Sequence, residues 1–192
     1  MSDLAKIQLP EIEHESTIIT GSENEKAFDI SKLRSNTGHI TLDPGYGNTG
    51  ACISDITFID GEKGILRYRG YPIEQLAEQC KFTEICYLLL YGDLPTEEEQ
   101  QKFSSRIRKE QNIHEDMKRF FDGYPMNAHP MGVLASMVAA LSTFYPENSE
   151  GDVDNNIIRL LAKMKTLAAF AYKKSVGQPF MYPKNKYSFE EN

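Results

Sequence analysis

Cysteine is scarce in this chain. Three stand in 192 residues, Cys52, Cys80 and Cys86, and no two lie at Cys-x-x-Cys spacing. An odd and scattered set excludes a disulfide framework and a cysteine-ligated zinc site. It predicts three reduced, mostly buried thiols. Positive charge is also in deficit: Lys plus Arg total 21 against 28 Asp plus Glu, for a formal net charge of −7. A chain of that sign is a poor default partner for nucleic acid or an anionic membrane. Long apolar runs are missing too. Met131 to Tyr145, the longest uncharged stretch on a helix pattern, is too short to cross a bilayer. The first residues, MSDLAKIQLPEIEHE, are polar and acidic, unlike a secretory signal or an Arg-rich transit peptide. The expectation is a cytoplasmic protein. No Gly-x-Ser-x-Gly and no Walker sequence occurs, which removes two common nucleophile and phosphate motifs. Internal repeats and low-complexity tracts are absent as well.

What is present fits a globular protein with a real core: 40% hydrophobic and 26% charged residues over 192 positions. Residues 1–70 read as short strands and turns punctuated by Gly, Asn and Asp. The clearest strand pair is Cys52–Ile59 with Ile65–Tyr68, a hairpin over about 52–68 closed by Asp60-Gly61-Glu62-Lys63-Gly64. From Tyr71 the period becomes helical. Ile73, Leu76, Ala77 and Cys80 share one face after Pro72. Thr83 is placed to cap a second, buried helix, ICYLLLY, that Gly92 and Pro95 end. Thr96-x-x-Glu99 is a capping box for a charged third helix. Ile113, Met117, Phe120 and Phe121 line a fourth, stopped near Gly123. Pro130 opens a fifth, to about Phe144. Asp152 or Asp154 is placed to cap a sixth that runs to about Val176, with Gly177 beyond it. The fold class read from this pattern is mainly α with a small N-terminal β region, organised as a β-rich region 1–70 and a helical region 71–192. The fifth helix carries Gly132, Ser136 and Ala140 on one four-residue row and Ala135, Ala139 and Thr143 on the next. With no formal charge on it, this helix is either central in its domain or part of a subunit interface.

The candidate chemistry is sparse. Gly45-Tyr46-Gly47-Asn48-Thr49-Gly50 matches G-x-G-x-x-G, but a strand-like segment follows where pyrophosphate would need a helix N-terminus. His14, His39, His114 and His129 do not pair at metal spacing. His129 is placed to cap the fifth helix or to contact a substrate. Arg67 and Arg69 alternate on a strand and should share a face. Arg159, Lys163, Lys165, Lys173, Lys174, Lys184 and Lys186 gather with no acid among them. That makes a local positive surface able to attract an anion such as a nucleotide.

Several strings read together. They are Thr57-Phe58-Ile59-Asp60-Gly61 with Gly64-Ile65-Leu66, Arg69-Gly70-Tyr71-Pro72-Ile73 with Gln75-Leu76-Ala77, His129-Pro130-Met131, and Tyr172 with Gly177-Gln178-Pro179-Phe180 and Tyr182-Pro183. In this order they strongly resemble the N-terminal part of citrate synthase of the longer bacterial type, from about Ile40 to Asn185. The resemblance implies a citrate-synthase-like helical fold and a family that condenses acetyl-CoA with oxaloacetate and water to citrate and CoA. Acetyl-CoA is a substrate there, and no cofactor is implied. It implies small-molecule substrates and a homo-oligomer, dimer or hexamer, through helices 130–144 and 154–176. The family's catalytic histidines and aspartate and its oxaloacetate-binding arginines come later than the stretch matched. The expectation is therefore a segment with no catalytic residue of its own and no metal site, inactive alone. The alternative is a stand-alone oligomerisation or binding module derived from the same fold.

The resemblance also implies an allosteric nucleotide site, with Tyr145, Arg159, Lys163, Gln178 and Asn185 matching the pattern of NADH-binding relatives. Lys109-Glu110-Gln111-Asn112 departs from it, since NADH-responsive relatives show Arg, His, Thr and Met there. Glu110 would repel a pyrophosphate.

Overall fold

The computed structural model describes residues 3–146 and 152–192. The chain forms two compact units that meet in sequence between Ser54 and Asp55. In the first, β1 (Leu4–Gln8) pairs antiparallel with β2 (Glu13–Thr20), and β2 pairs with β3 (Lys26–Phe28). The two-residue period of a strand sends successive side chains to opposite faces. Accordingly His14 and Ser16 are buried, while Glu13 and Glu15 are exposed and hold Lys6 at 3.1 and 3.0 Å. A short helix follows, α1 (Leu33–Thr37), which packs Leu33 inward and ends at Gly38 in the left-handed region, φ 74°. Sequence reading gave no helix here.

The glycine-rich loop after α1 is closed on itself. The Asp43 carboxylate accepts from Gly47 N at 3.2 Å, Asn48 N at 2.9 Å and the Thr49 hydroxyl at 2.5 Å. The Thr49 bond and those amides hold its carboxyl below the usual value. The amides a phosphate would need are thus spent on a side chain, and no helix follows the loop.

In the second unit, β4 (Thr57–Asp60) pairs with β5 (Ile65–Tyr68), and β5 with β6 (Tyr71–Pro72). The hairpin expected over 52–68 is present, with its first strand starting at Thr57. The reason lies in the partner: after Tyr68 the chain reverses through Arg69 (φ 49°) and Gly70 (φ 87°), so Thr57↔Tyr68 is the last ladder pair. Two positive φ values in a two-residue loop are the geometry that suits the twist of a hairpin. Gly70 adopts it freely and Arg69 does so under strain. Arg69 therefore does not share the Arg67 face, contrary to the alternation. Cys52 is exposed rather than buried, while Cys80 and Cys86 are half-buried, and all three are free thiols.

Helices then follow in quick succession. α2 (Ile73–Gln79) buries Leu76. α3 (Phe82–Tyr91) is entered at Lys81, whose backbone N–H donates to Glu84 at 2.6 Å. Thr83 lies inside the helix, buried, and accepts from Gln100 at 2.8 Å instead of capping. Among its residues Leu88 is fully buried, while Phe82, Leu90 and Tyr91 are exposed, so α3 is half-wet despite its composition. α4 (Glu97–Glu110) has the expected capping box between Thr96 and Glu99. Three glutamates in its first turn, and Arg108 and Lys109 in its last, oppose the helix dipole.

A 3₁₀ turn (Glu115–Met117) leads into α5 (Lys118–Asp122), shorter than the periodicity suggested. α6 spans Pro130–Phe144, and His129 Nδ1 accepts from Met131 N at 3.2 Å, so the capping role read for His129 holds. α7 spans Asp152–Ser175, ahead of Gly177 at φ 66°. The residue before Asp152 lies outside the described residues. Asp154 is within the helix and takes Tyr91 and Arg106 at 2.6 and 2.5 Å rather than capping it.

One core joins Ile113, Met117, Phe121, Val133, Met137, Leu141, Leu167, Phe170 and Ala171, from α5, α6 and α7 with the residues just before α5. A second joins Phe103, Ile107, Ile158 and Ala162 between α4 and α7. α6 is not central: Val133, Met137 and Leu141 face the core, while Met131, Ala135, Ala139 and Thr143 are exposed.

Candidate functional site

Of the residues expected to form an anion site, three meet where α7 crosses the end of α4. Arg159 and Lys163 are one helical turn apart and so share a face. Both lie over the Tyr145 ring, the Lys163 ammonium 4.7 Å and the Arg159 guanidinium carbon 5.4 Å from its centroid. The Glu110 carboxylate stands against them, 3.3 Å from Lys163 Nζ and 3.7 Å from Arg159 Nε.

Lys163 is 2% exposed. Its ammonium donates to Glu110 O at 2.6 Å and Asn112 O at 2.7 Å as well as to the Glu110 carboxylate. Three N–H donors meet three acceptors, so no donor is left over. The Glu110 carbonyl is the last of α4, where helix carbonyls have no partner within the helix, and the Asn112 carbonyl lies two residues beyond it. A cation at that end satisfies them and opposes the dipole. Burial pulls the Lys163 amine below its ordinary value, and Glu110 resists the shift.

The other two residues stand differently. Asn185 joins the edge of the cluster through Gln111, whose Nε2 donates to Asn185 Oδ1 at 2.8 Å. Gln178 accepts from Lys173 at 2.7 Å beyond the far end of α7. That is about 18 Å along the helix from Lys163, at 1.5 Å per residue. Gln111 stood in the sequence only as part of the stretch departing from the nucleotide pattern, and Thr166 was not singled out. Both are buried, and the Thr166 hydroxyl donates to Gln111 O at 2.7 Å. A nucleotide phosphate at this cluster would have to compete with the Glu110 carboxylate for both cations.

Two cavities have the volume of a small ligand. One of about 370 Å³ is lined by Arg69, Gly70, Tyr71, Pro72, Gly92 and Asp93. In it the Tyr71 hydroxyl donates to Asp93 at 2.5 Å, and Arg69 Nη2 donates to Leu89 O at 2.9 Å. The other, about 380 Å³, lies between α7 and the tail. Neither lining includes a histidine. His114 and His129 each use Nδ1 to accept a backbone N–H at a helix start, and His39 bonds the Thr37 carbonyl. Among the described residues no group of three or more His, Cys, Asp or Glu could hold a metal ion, and no helix is long and apolar enough to cross a membrane.

Comparison with known proteins gives a consistent pattern. The family described as "Citrate synthase, C-terminal domain" matches residues 45–192. Citrate synthase 1 of Mycobacterium tuberculosis is 50% identical over 194 residues, covering 99% of this chain and 45% of its own length. Citrate synthase of Corynebacterium glutamicum is 45% identical over 192 residues, covering 98% of this chain and 44% of its own length. The chain thus spans less than half the length of these relatives. Among solved structures, citrate synthase from Thermotoga maritima superposes with a TM-score of 0.69 at 29% identity, over 79% of this chain and 40% of that one. A ternary complex of carboxymethyl coenzyme A and oxaloacetate with citrate synthase from Thermoplasma acidophilum gives 0.72 at 28% identity, with the same coverage.

Proposed function

The chain belongs to the citrate synthase family, and from that premise we propose that its 192 residues supply scaffold and assembly surface to an enzyme that condenses acetyl-CoA with oxaloacetate. The groups that take the methyl proton and polarise the carbonyl are carried elsewhere. General acid–base chemistry uses a titratable side chain, most often histidine, within hydrogen-bond reach of the proton it moves. The observation that carries this reading is the disposition of the histidines. Two are committed to helix starts, and none lines either cavity. Mixing the purified 192-residue chain with acetyl-CoA and oxaloacetate and following free thiol tests it. We expect no release above the uncatalysed rate, and enzymatic turnover overturns the reading.

Assembly with a second copy rests on exposed surface. Charge-free helical faces contribute, with Met131, Leu160 and Tyr172 all exposed. Surface of that kind drives association. Light scattering across a concentration series should show the mass rising above 21.8 kDa. A strict monomer at every concentration counts against assembly and leaves the inactivity of the chain as a separate result.

A further inference from the structure

Arg69 holds a left-handed backbone conformation, φ 49°, that strains any residue with a side chain. Glycine adopts that region freely, as Gly70 beside it does at φ 87°. Strain of this kind clusters at ligand clamps and other positions where the side chain is used. The Arg69 guanidinium is set against the last turn of α3, where Nη2 donates to Leu89 O at 2.9 Å. That bond satisfies a carbonyl that has no partner within the helix. It uses one of the five N–H donors on the guanidinium. Nε is buried with no partner, and among the described residues Arg69 forms no ion pair.

Asp93, just past the end of α3, lines the same cavity. Its Oδ1 accepts from the Tyr71 hydroxyl at 2.5 Å and from Leu94 N at 2.8 Å, and these bonds hold the carboxyl below its usual value. The group is therefore charged at neutral pH. Its Oδ2 takes no hydrogen bond. A cation and an anion thus line one cavity of about 370 Å³ without pairing with each other. Gly70 and Gly92 line it too, and a Cβ at either would meet nothing within 4 Å, so the space beside them is open.

Opposite charges that share a small cavity without meeting suit a ligand that carries both complements. A carboxylate matches the planar guanidinium, which can hold it through two N–H groups. It also offers an acceptor to the Nε donor, whose burial without a partner is otherwise a cost. An ammonium group supplies the donor that Asp93 Oδ2 lacks. A simple anion would be repelled by Asp93, and a simple cation by Arg69. A free α-amino acid carries the two groups on one carbon and bridges the gap that keeps the side chains from a direct ion pair.

We propose that this cavity binds a free α-amino acid, with its carboxylate on Arg69 and its ammonium on Asp93. Amide NMR titration of the whole chain with L-alanine, and in parallel with propionate and ethylamine, tests it. We expect saturable shifts at Gly70 and Gly92 with L-alanine, and binding at least about ten-fold weaker for either analogue that lacks one charge. Arg69→Gly removes the guanidinium and installs the one residue that φ 49° does not strain. L-alanine binding should then be lost while the amide spectrum elsewhere is retained, which separates a lost site from a lost fold. Asp93→Asn keeps an acceptor for the Tyr71 hydroxyl and Leu94 N, and it should bring L-alanine down to the affinity of propionate. Arg119→Ala, on α5 and outside the cavity lining, should leave binding unchanged. No saturable shift with L-alanine at millimolar concentration overturns the proposal. So does binding that survives Arg69→Gly. Equal affinity of the unaltered chain for L-alanine and propionate also overturns it, because that marks a site for anions alone.

Discussion

Phe121→Ala should lower stability by about 3–5 kcal/mol and the thermal midpoint by on the order of 10 °C. Phe121 is fully buried, and its ring centroid lies 5.9 Å from that of Phe170 and 5.4 Å from that of Phe180, which stack on each other at 4.5 Å. One ring from α5 thus ties α7 and the tail, and Val133, Met137 and Leu141 of α6 belong to the same core. Truncation loses the transfer free energy of the ring, opens a cavity, and removes two tilted aromatic contacts that add to area burial. Phe120, its neighbour, is 45% exposed and meets the Phe144 ring edge-on, with centroids 6.1 Å apart. Phe120→Ala should cost well under half as much. Thermal melts of the two variants side by side decide it, and equal losses would mean that this core does not hold the helical unit together.

Why Phe121 was legible and other positions were not follows from the range of the forces involved. Ile113, Met117 and Phe121 recur at helical spacing, so their burial can be read locally, although Phe120 beside them is wet. The boundaries of α6 were equally legible, because His129-Pro130 marks a helix start chemically and Tyr145-Pro146 ends the pattern. α1 left no trace in the periodicity. It is five residues long and rests on one buried side chain, the Gly38 turn and the Thr37 hydroxyl bond to Leu33 O. The Thr83 and Arg69 expectations failed for a shared reason. Each side chain is used by a partner distant in sequence, Gln100 for Thr83 and Leu89 O for Arg69. Within the candidate cluster, the turn spacing of Arg159 and Lys163 was visible, as was the repulsive sign of Glu110. The bonds from Lys163 to Glu110 O and Asn112 O, and from Gln111 to Asn185, span 51 to 74 residues and come from tertiary packing alone.

That tertiary origin makes Lys163 the second site of large effect. Lys163→Met keeps an unbranched stem of similar volume and removes the ammonium. The carbonyls of Glu110 and Asn112 then lose their donor, and the Glu110 carboxylate loses its nearer cation. Removing one partner of a buried, hydrogen-bonded charge costs about 3–5 kcal/mol, because the desolvation of what remains is no longer offset. Glu110→Gln leaves the ammonium on both carbonyls, and a loss of only about 1 kcal/mol is expected. Denaturant unfolding of the two variants orders them, and a larger loss for Glu110→Gln would show that the ion pair, not the helix-end capping, carries the site. The pH dependence supplies an independent check. Burial lowers the folded-state amine of Lys163 from the ordinary 10.5. Between that lowered value and 10.5 the unfolded chain binds the extra proton, so wild-type stability rises with pH across the window. The Met variant lacks this contribution, while every other group titrates alike in both proteins. The stability gap should therefore be constant near neutrality and widen as pH climbs toward 10.5. A gap that narrows over the same range would mean that the ammonium gains more from its three acceptors than burial takes from it.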